Sequence, residues 1–258
     1  MIEPKPIPRT ALVTGAGQRI GKAIALDLAR AGWAVAVHYG TSKSAADAVL
    51  AEIGAAGGRV VALAADLVKE AEVATLVART MAALGPVGLL VNNASIFERD
   101  GADTATRESW DRHMEINLRA PFVLIQAMAA ALPIGQAGVV VNILDQRVWN
   151  LTHDFVSYTL SKAGLWTLTQ TMALALAPRI RVNAIGPGPV LPSPRQSFEQ
   201  FRWQWESMPL GRGALPAEIA AAVRFMVDAP AMTGQMIALD GGQHLCWAPP
   251  ARGQATPE

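Results

Sequence analysis

A single cysteine, Cys246, stands in a chain of 258 residues. It excludes an intrachain disulfide and any cysteine-rich metal site. No base motif surrounds it, so it reads as structural. The four histidines, His38, His113, His153 and His244, lie tens of residues apart and lack metal-ligand spacing. Charged residues make up only 17% of the chain, and 22 Lys and Arg face 21 Asp and Glu. That balance, without a basic run, gives no reason to expect nucleic acid as a partner. No apolar run approaches ~18 residues, so no membrane span is expected. Residues 1–9 carry no apolar signal-peptide core, and a cytoplasmic protein is expected. The two sequons, Asn93-Ala94-Ser95 and Asn150-Leu151-Thr152, carry no meaning without secretion.

What the chain has is core. Hydrophobic residues reach 51% and mean hydropathy is +0.25, which rules out wholesale disorder. The length suits one α/β domain over 1–258, with an N-terminal extension at 1–9 and a frayed Pro-, Ala- and Gly-rich tail at 248–258. Short apolar runs at 10–14, 34–38, 60–64, 87–91, 139–144, 180–185 and 236–239 read as strands. Helical spacing reads at 19–31, 44–56, 69–84, 110–131, 155–176 and 216–227. The strands are continuously apolar, as expected when helices cover both faces. Strand–helix alternation of this length predicts a Rossmann-type doubly wound parallel sheet.

Residues 187–213 break the rhythm, with five prolines and the pair Trp203 and Trp205. A connection so long is usually functional. Its apolar content suggests a lid over a substrate pocket or, alternatively, an oligomer contact. Trp203 and Trp205 read as filler of that pocket or interface.

The first strand runs into Thr14-Gly15-Ala16-Gly17-Gln18-Arg19-Ile20-Gly21. Glycines at a strand–helix junction permit close approach to a pyrophosphate, which the helix N-terminus attracts. An acid ending the second strand would favour NAD, yet residues 28–46 contain none. His38-Tyr39-Gly40-Thr41-Ser42-Lys43 ends that strand instead. A 2′-phosphate needs cations and hydroxyl donors. The expectation is therefore NADPH, bound through Arg19, His38, Ser42 and Lys43.

Tyr158 and Lys162 are four apart and share one helix face. An adjacent ammonium is expected to lower the phenol's pKa, making the pair a proton donor to an atom that receives hydride.

With these pieces in order, the chain resembles a short-chain dehydrogenase/reductase over roughly residues 10–245. The matching motifs are the glycine loop, Asp66-Leu67, Asn92-Asn93-Ala94-Ser95, Asn117, Tyr158 with Lys162, Pro187-Gly188 and Asp240-Gly241-Gly242. The resemblance implies that Gly15, Gly17, Ile20, Gly21, Tyr39, Asp66, Leu67, Asn93, Ala94, Pro187 and Gly188 border the cofactor. It implies that Lys162 also binds the nicotinamide ribose, that Asn117 joins a water-linked proton relay, and that the protein is a homotetramer.

Two departures sharpen the reading. The family's catalytic serine lies about a dozen residues before the tyrosine, and here Asp145 stands there, thirteen before Tyr158. An ionised carboxylate cannot donate to a ketone oxygen and repels a developing alkoxide. It suits a nitrogen heterocycle, accepting N–H bonds or helping deliver a proton to ring nitrogen. Arg19 replaces a glycine common in the family. Both departures resemble the pteridine reductases and dihydromonapterin reductases. In that subfamily an aromatic at Phe97 stacks on the pterin and Ser95 contacts phosphate or pterin. The subfamily usually has an arginine where Thr41 stands here.

Other readings stay open: Phe97 as core packing, and Asp145 as a helix cap or a partner of Arg147. Trp149 is a candidate pocket residue. The expected activity is NADPH-dependent reduction of a ring C=N bond in a pterin-type substrate. The rivals are a carbonyl or 3-oxoacyl reductase, and a non-catalytic NADPH-binding sensor.

Overall fold

The computed structural model describes residues 5–193 and 195–246. Seven strands lie in the order β3-β2-β1-β4-β5-β6-β7, each parallel to its neighbour. They are β1 (Thr10–Val13), β2 (Ala34–Tyr39), β3 (Val60–Ala64), β4 (Leu89–Asn92), β5 (Gly138–Ile143), β6 (Ile180–Pro187) and β7 (Met236–Leu239). The helices are α1 (Arg19–Arg30), α2 (Lys43–Ala55), α3 (Glu70–Val73), α4 (Leu76–Leu84), α5 (Arg107–Met114), α6 (Ala120–Ala131), α7 (Val156–Leu176), α8 (Phe198–Glu206) and α9 (Pro216–Asp228).

Strand alternation divides the core in two. Ala11, Val13, Val35, Val37, Val139 and Val141 point to one face, where Ile24 and Leu28 of α1, Val49 of α2 and Val223 of α9 cover them. Leu12, Ala36, Leu90, Val140 and Val182 point to the other, against Leu76 of α4, Leu124 and Ile125 of α6 and Met172 of α7. This is why the strands read as unbroken apolar runs. Each fully buried Leu, Ile or Val contributes about 1.5–3 kcal/mol.

The expected doubly wound sheet is present, with local corrections. The single helix expected at 69–84 is two, α3 and α4. The helix at 110–131 starts earlier, with α5, and contains a widened π turn at Glu115–Arg119 before α6. The stretch 187–213 is not all loop, because α8 forms within it. Its N-terminus carries a legible signal: Ser197 Oγ accepts from Gln200 N, and the Gln200 side chain accepts from Ser197 N. The described part of the N-terminal extension packs along the sheet, where Pro6 O accepts from Ala137 N at 3.0 Å. The tail expected at 248–258 lies outside the described residues. Among the described residues no helix is long and apolar enough to cross a membrane.

The order in which strands are added reverses at β1, whose two neighbours are β2 and β4. Open parallel sheets bind ligands beyond the strand C-termini at such a switch point. The loops after β1, β4 and β5 and the end of β6 converge there.

Candidate active site

A cleft of about 410 Å³ opens at this edge, floored by Gly15, Ala94, Ile143 and Gly188 and roofed by Val190, Phe201 and Gln204 of the 187–213 segment. Its base is held by side chains of the loops around and beneath it. Gly15, at φ +62, donates its N–H to His38 Nδ1 at 3.1 Å. His38 Nε2 donates to Ala65 O at 3.1 Å. Because a carbonyl only accepts, the ring is neutral with its proton on Nε2. Burial holds its pKa below the ordinary histidine range. His38 is therefore a strut beneath the glycine loop. Only 2% exposed, with both nitrogens engaged, it cannot be the 2′-phosphate ligand expected from the sequence. Thr14 Oγ1 accepts from Asn93 N and Ala94 N, and Asn93 Nδ2 donates to Thr14 O and Gly15 O, which ties the β1 and β4 loops together.

The glycine loop is a close fit. A Cβ on Gly21 would lie 2.2 Å from Gly15 O, so α1 abuts the loop without space for a side chain. Gly17 packs behind the loop against the Ala46 backbone of α2. Gln18 precedes α1 in extended conformation without a side-chain cap, and the first turn holds no acid. Gln18, Arg19, Ile20 and Gly21 line the cleft. An uncapped helix N-terminus facing a cleft is built for an anion.

Arg19 departs from expectation. Its guanidinium donates to Pro192 O at 2.9 Å and Leu191 O at 3.2 Å, tying it to the 187–213 segment instead of reaching the end of β2. At that end, Tyr39 is half-buried, Ser42 precedes α2 without capping it, and Lys43 pairs with Asp47 at 2.7 Å. Asp66 and Leu67 follow β3 on the same edge. Asp66 Oδ1 accepts from Val68 N, while Leu67 is buried.

The chemical end of the cleft is formed by α7 and the loop after β5. Tyr158 donates its phenolic proton to Asp145 Oδ2 at 2.9 Å. Asp145 Oδ1 accepts from Arg147 N at 2.8 Å, which caps the short 3-10 turn Gln146–Val148. The carboxylate thus caps a turn and faces the phenol at once. Burial pushes the Tyr158 phenol well above its ordinary range; the Asp145 charge adds to the rise and the Arg147 charge opposes it. This reverses the expected lowering by Lys162, whose Nζ donates to Ile143 O at 2.9 Å and lies 5.8 Å from the Tyr158 ring centroid. Burial lowers Lys162 to about 8, against the pull of Asp145.

Phe97 also borders the cleft. One face stacks on Phe155 with centroids 4.2 Å apart, and Tyr158 meets it edge-on at 4.6 Å. Core contact and cleft lining, posed as alternatives by the sequence, coexist. Ser95 lines the cleft and donates from Oγ to Asn117 Oδ1 at 3.0 Å. Asn117 Oδ1 also accepts from Ile96 N, and its Nδ2 donates to Ile96 O and Ser161 Oγ. With all four hydrogen-bonding positions occupied, the Asn117 side chain has none for a water relay. It clamps the β4 loop. Trp149 is also displaced from its expected place: it packs edge-on against Trp166 and His244, outside the cleft lining.

Sequence reading missed Gln146, and it named Arg147 only as a partner of Asp145. Both line the cleft beside Asp145. Gln146 is 6% exposed and its Oε1 has no partner among the described residues. The Arg147 guanidinium lies 5.0 Å from the Phe155 centroid and donates to Thr152 Oγ1. Their position after an apolar strand was the available signal. Among the described residues no group of His, Cys, Asp and Glu is arranged for a metal.

Residues 9–202 match the short chain dehydrogenase family. The chain belongs to the short-chain dehydrogenase family. It is 48% identical to FolM alternative dihydrofolate reductase 1 from Brucella canis, crystallised with NADP, with a TM-score of 0.91 over 95% of this chain and 97% of that one. A blue fluorescent protein from a metagenomic library, in complex with NADPH, is 34% identical with a TM-score of 0.85 over 91% and 97%. Among curated relatives, the 3-oxoacyl-acyl-carrier-protein reductase of Synechocystis is 35% identical over 91% of this chain and 96% of its own. The fold and the oxidoreductase class read from the sequence agree with these relatives. Their names divide between two substrate classes.

Proposed function

We propose that this oxidoreductase uses NADPH to reduce a ring C=N bond in a pterin-type substrate such as a dihydropterin or dihydrofolate. The observation that carries the reading is the Asp145 carboxylate accepting a hydrogen bond from the Tyr158 phenol at the cleft wall. Similarity to the Brucella protein supports it.

The residues present fit the cofactor. The Gly15–Gly21 cradle, which a Cβ would fill, and the uncapped start of α1 suit a pyrophosphate. Asn93, Ala94, Ser95, Pro187 and Gly188 border the adjoining space, Lys162 and Tyr158 its far end, and Tyr39, Ser42, Asp66 and Leu67 the outer shelf. Absence of an acid at the end of β2 favours a 2′-phosphate over a bare ribose hydroxyl. When bound, NADPH supplies the hydride.

The chain's own residues manage the proton. Tyr158 keeps its phenolic proton at neutral pH because burial and Asp145 both disfavour phenolate. Asp145 holds that O–H and offers lone pairs to amino or ring N–H groups, which a ketone lacks. Lys162 carries positive charge at the same wall. Phe97 offers aromatic surface to a flat heterocycle. The 187–213 segment, held by Arg19, roofs the cleft as a lid over the substrate. A homotetramer completes the reading.

A 3-oxoacyl reductase is the second reading, favoured by the curated relatives. It calls for a second hydrogen-bond donor to the keto oxygen beside Tyr158, and a carboxylate at 145 offers none. The test is NADPH oxidation with dihydrobiopterin, dihydromonapterin and dihydrofolate beside a 3-oxoacyl thioester. Turnover of a pterin supports the assignment; turnover of the thioester alone overturns it.

A further inference from the structure

We propose that Asp100 is a positioning residue for proton delivery, holding the first turn of the Tyr158 helix against the loop that carries Phe97. The proposal rests on the reading of Tyr158 as proton donor.

Helix α7 has no side-chain cap of its own. Phe155 precedes it at φ +61, a conformation that costs a non-glycine residue about 1–2 kcal/mol. The cap comes instead from a distant segment. Asp100 O accepts from Phe155 N at 2.7 Å and from Val156 N at 3.4 Å. Asp100 Oδ1 accepts from Ser157 N at 3.1 Å, and Oδ2 accepts from Ser157 Oγ. Three consecutive N–H groups at the start of the helix are thus satisfied by one aspartate, 4% exposed. Its charge also suits the positive end of the helix.

Asp100 follows Phe97 by three residues, so one residue, through its main-chain carbonyl and its carboxylate, links both walls of the cleft. On the α7 side its main-chain O holds Phe155, whose ring stacks on Phe97, and its carboxylate holds Ser157, the neighbour of Tyr158. On the other side the loop is held by α5. Ser109 Oγ donates to Asp100 Oδ2 at 3.0 Å, and His113 Nε2 accepts from Glu98 N at 3.2 Å. His113 Nδ1 lies 2.9 Å from Ser109 O and 2.7 Å from Ser157 Oγ, donating toward both.

The group contains a serine, a histidine and an aspartate, but it is no nucleophilic triad. The serine proton goes to the carboxylate, and the imidazole lone pair is occupied by Glu98 N–H. All three side chains are buried. What the network fixes is distance: Tyr158 to Asp145 on one side and Tyr158 to Phe97 on the other. Misplacement of a reacting group by about 1 Å can cost 10²-fold in rate.

The experiment compares Asp100→Ala, Asp100→Asn and Ser157→Ala in the full chain. It measures thermal stability, NADPH affinity by fluorescence, kcat at saturating NADPH and the solvent deuterium isotope effect on kcat. Asp100→Ala is expected to lower kcat at least about tenfold, leave NADPH affinity unchanged and raise the isotope effect, since proton delivery becomes slower than the other steps. Asp100→Asn, which can still accept from Ser157 N, is expected to recover most of the rate. If Asp100→Ala does not fold, Ser157→Ala is expected to show the same pattern more mildly. Unaltered kcat overturns the proposal. So does a loss of kcat matched by an equal loss of NADPH binding with the isotope effect unmoved, which marks a purely structural role. Wild-type protein inert toward every pterin refutes the substrate assignment alone; the series is then run on the 3-oxoacyl thioester, where Tyr158 is again the donor.

Discussion

Tyr158 Oη and Asp145 Oδ2 are 2.9 Å apart, with the phenol donating. The relationship sets the polarity of the site: the group beside the proton donor is an acceptor. Asp145→Ser should therefore lower pterin turnover by about 10²-fold or more and preserve or raise ketone reduction. Asp145→Asn, isosteric but uncharged, should fall between the two on pterins. Paired kcat/KM values on a dihydropterin and a 3-oxoacyl thioester check this.

Lys162 predicts the alkaline limb of activity. Its folded pKa is about 8, below the ordinary 10.5, so its charge is complete well below pH 8 and is lost as pH rises through that value. Tyr158 is raised and stays protonated over the same range. kcat/KM should then fall above pH about 8 through loss of the ammonium, not ionisation of the phenol. Lys162→Arg, which holds its charge, should displace that limb upward even as the rate drops. A pH–rate profile of both proteins decides.

His38 predicts a remote effect on cofactor binding. Replacing it with Phe removes the acceptor for Gly15 N–H and the donor to Ala65 O. Two backbone groups are left buried without partners, at about 1–3 kcal/mol each. NADPH affinity should weaken although residue 38 lies behind the loop, and Tm should fall with it. Fluorescence titration and thermal melting measure the two.

Gln146 predicts opposite signs for stability and function. A buried amide oxygen without a partner is a cost to the fold, and Gln146→Leu should raise stability by about 1 kcal/mol. The same change removes a polar group from the cleft wall, so substrate KM should rise while NADPH affinity holds. Denaturant melts and steady-state kinetics test both halves.

The parts of this molecule legible in its sequence are those governed by local pattern. Strands β1 to β7 announced themselves because burial on both faces demands unbroken apolar runs. The glycine loop did so because Gly15 and Gly21 occupy positions where a side chain is strained or has no room. Asp145 was legible as a departure from a familiar spacing. Long-range matters were not. Nothing near His38 says that its ring lies under Gly15, nor does the neighbourhood of Arg19 reveal carbonyls 172 and 173 residues away. Asn117 and Asp100 act across 44 and 57 residues of sequence, separations that only the fold closes. The Tyr158 shift runs against the expected direction for the same reason: burial depends on the whole enclosure, and with the Asp145 charge it outweighs the lowering by Arg147. Helix α8 was missed because the surrounding prolines obscured a short capping box.

Arg19 sits at φ +54, in the left-handed region that glycine enters freely. A glycine there would relax the backbone by about 1 kcal/mol, a gain offset by the two hydrogen bonds lost and by the greater freedom of an unfolded glycine. It would also release the tether on Leu191 and Pro192. What the arginine contributes, at little net cost to the resting fold, is order in the stretch of chain above the cleft.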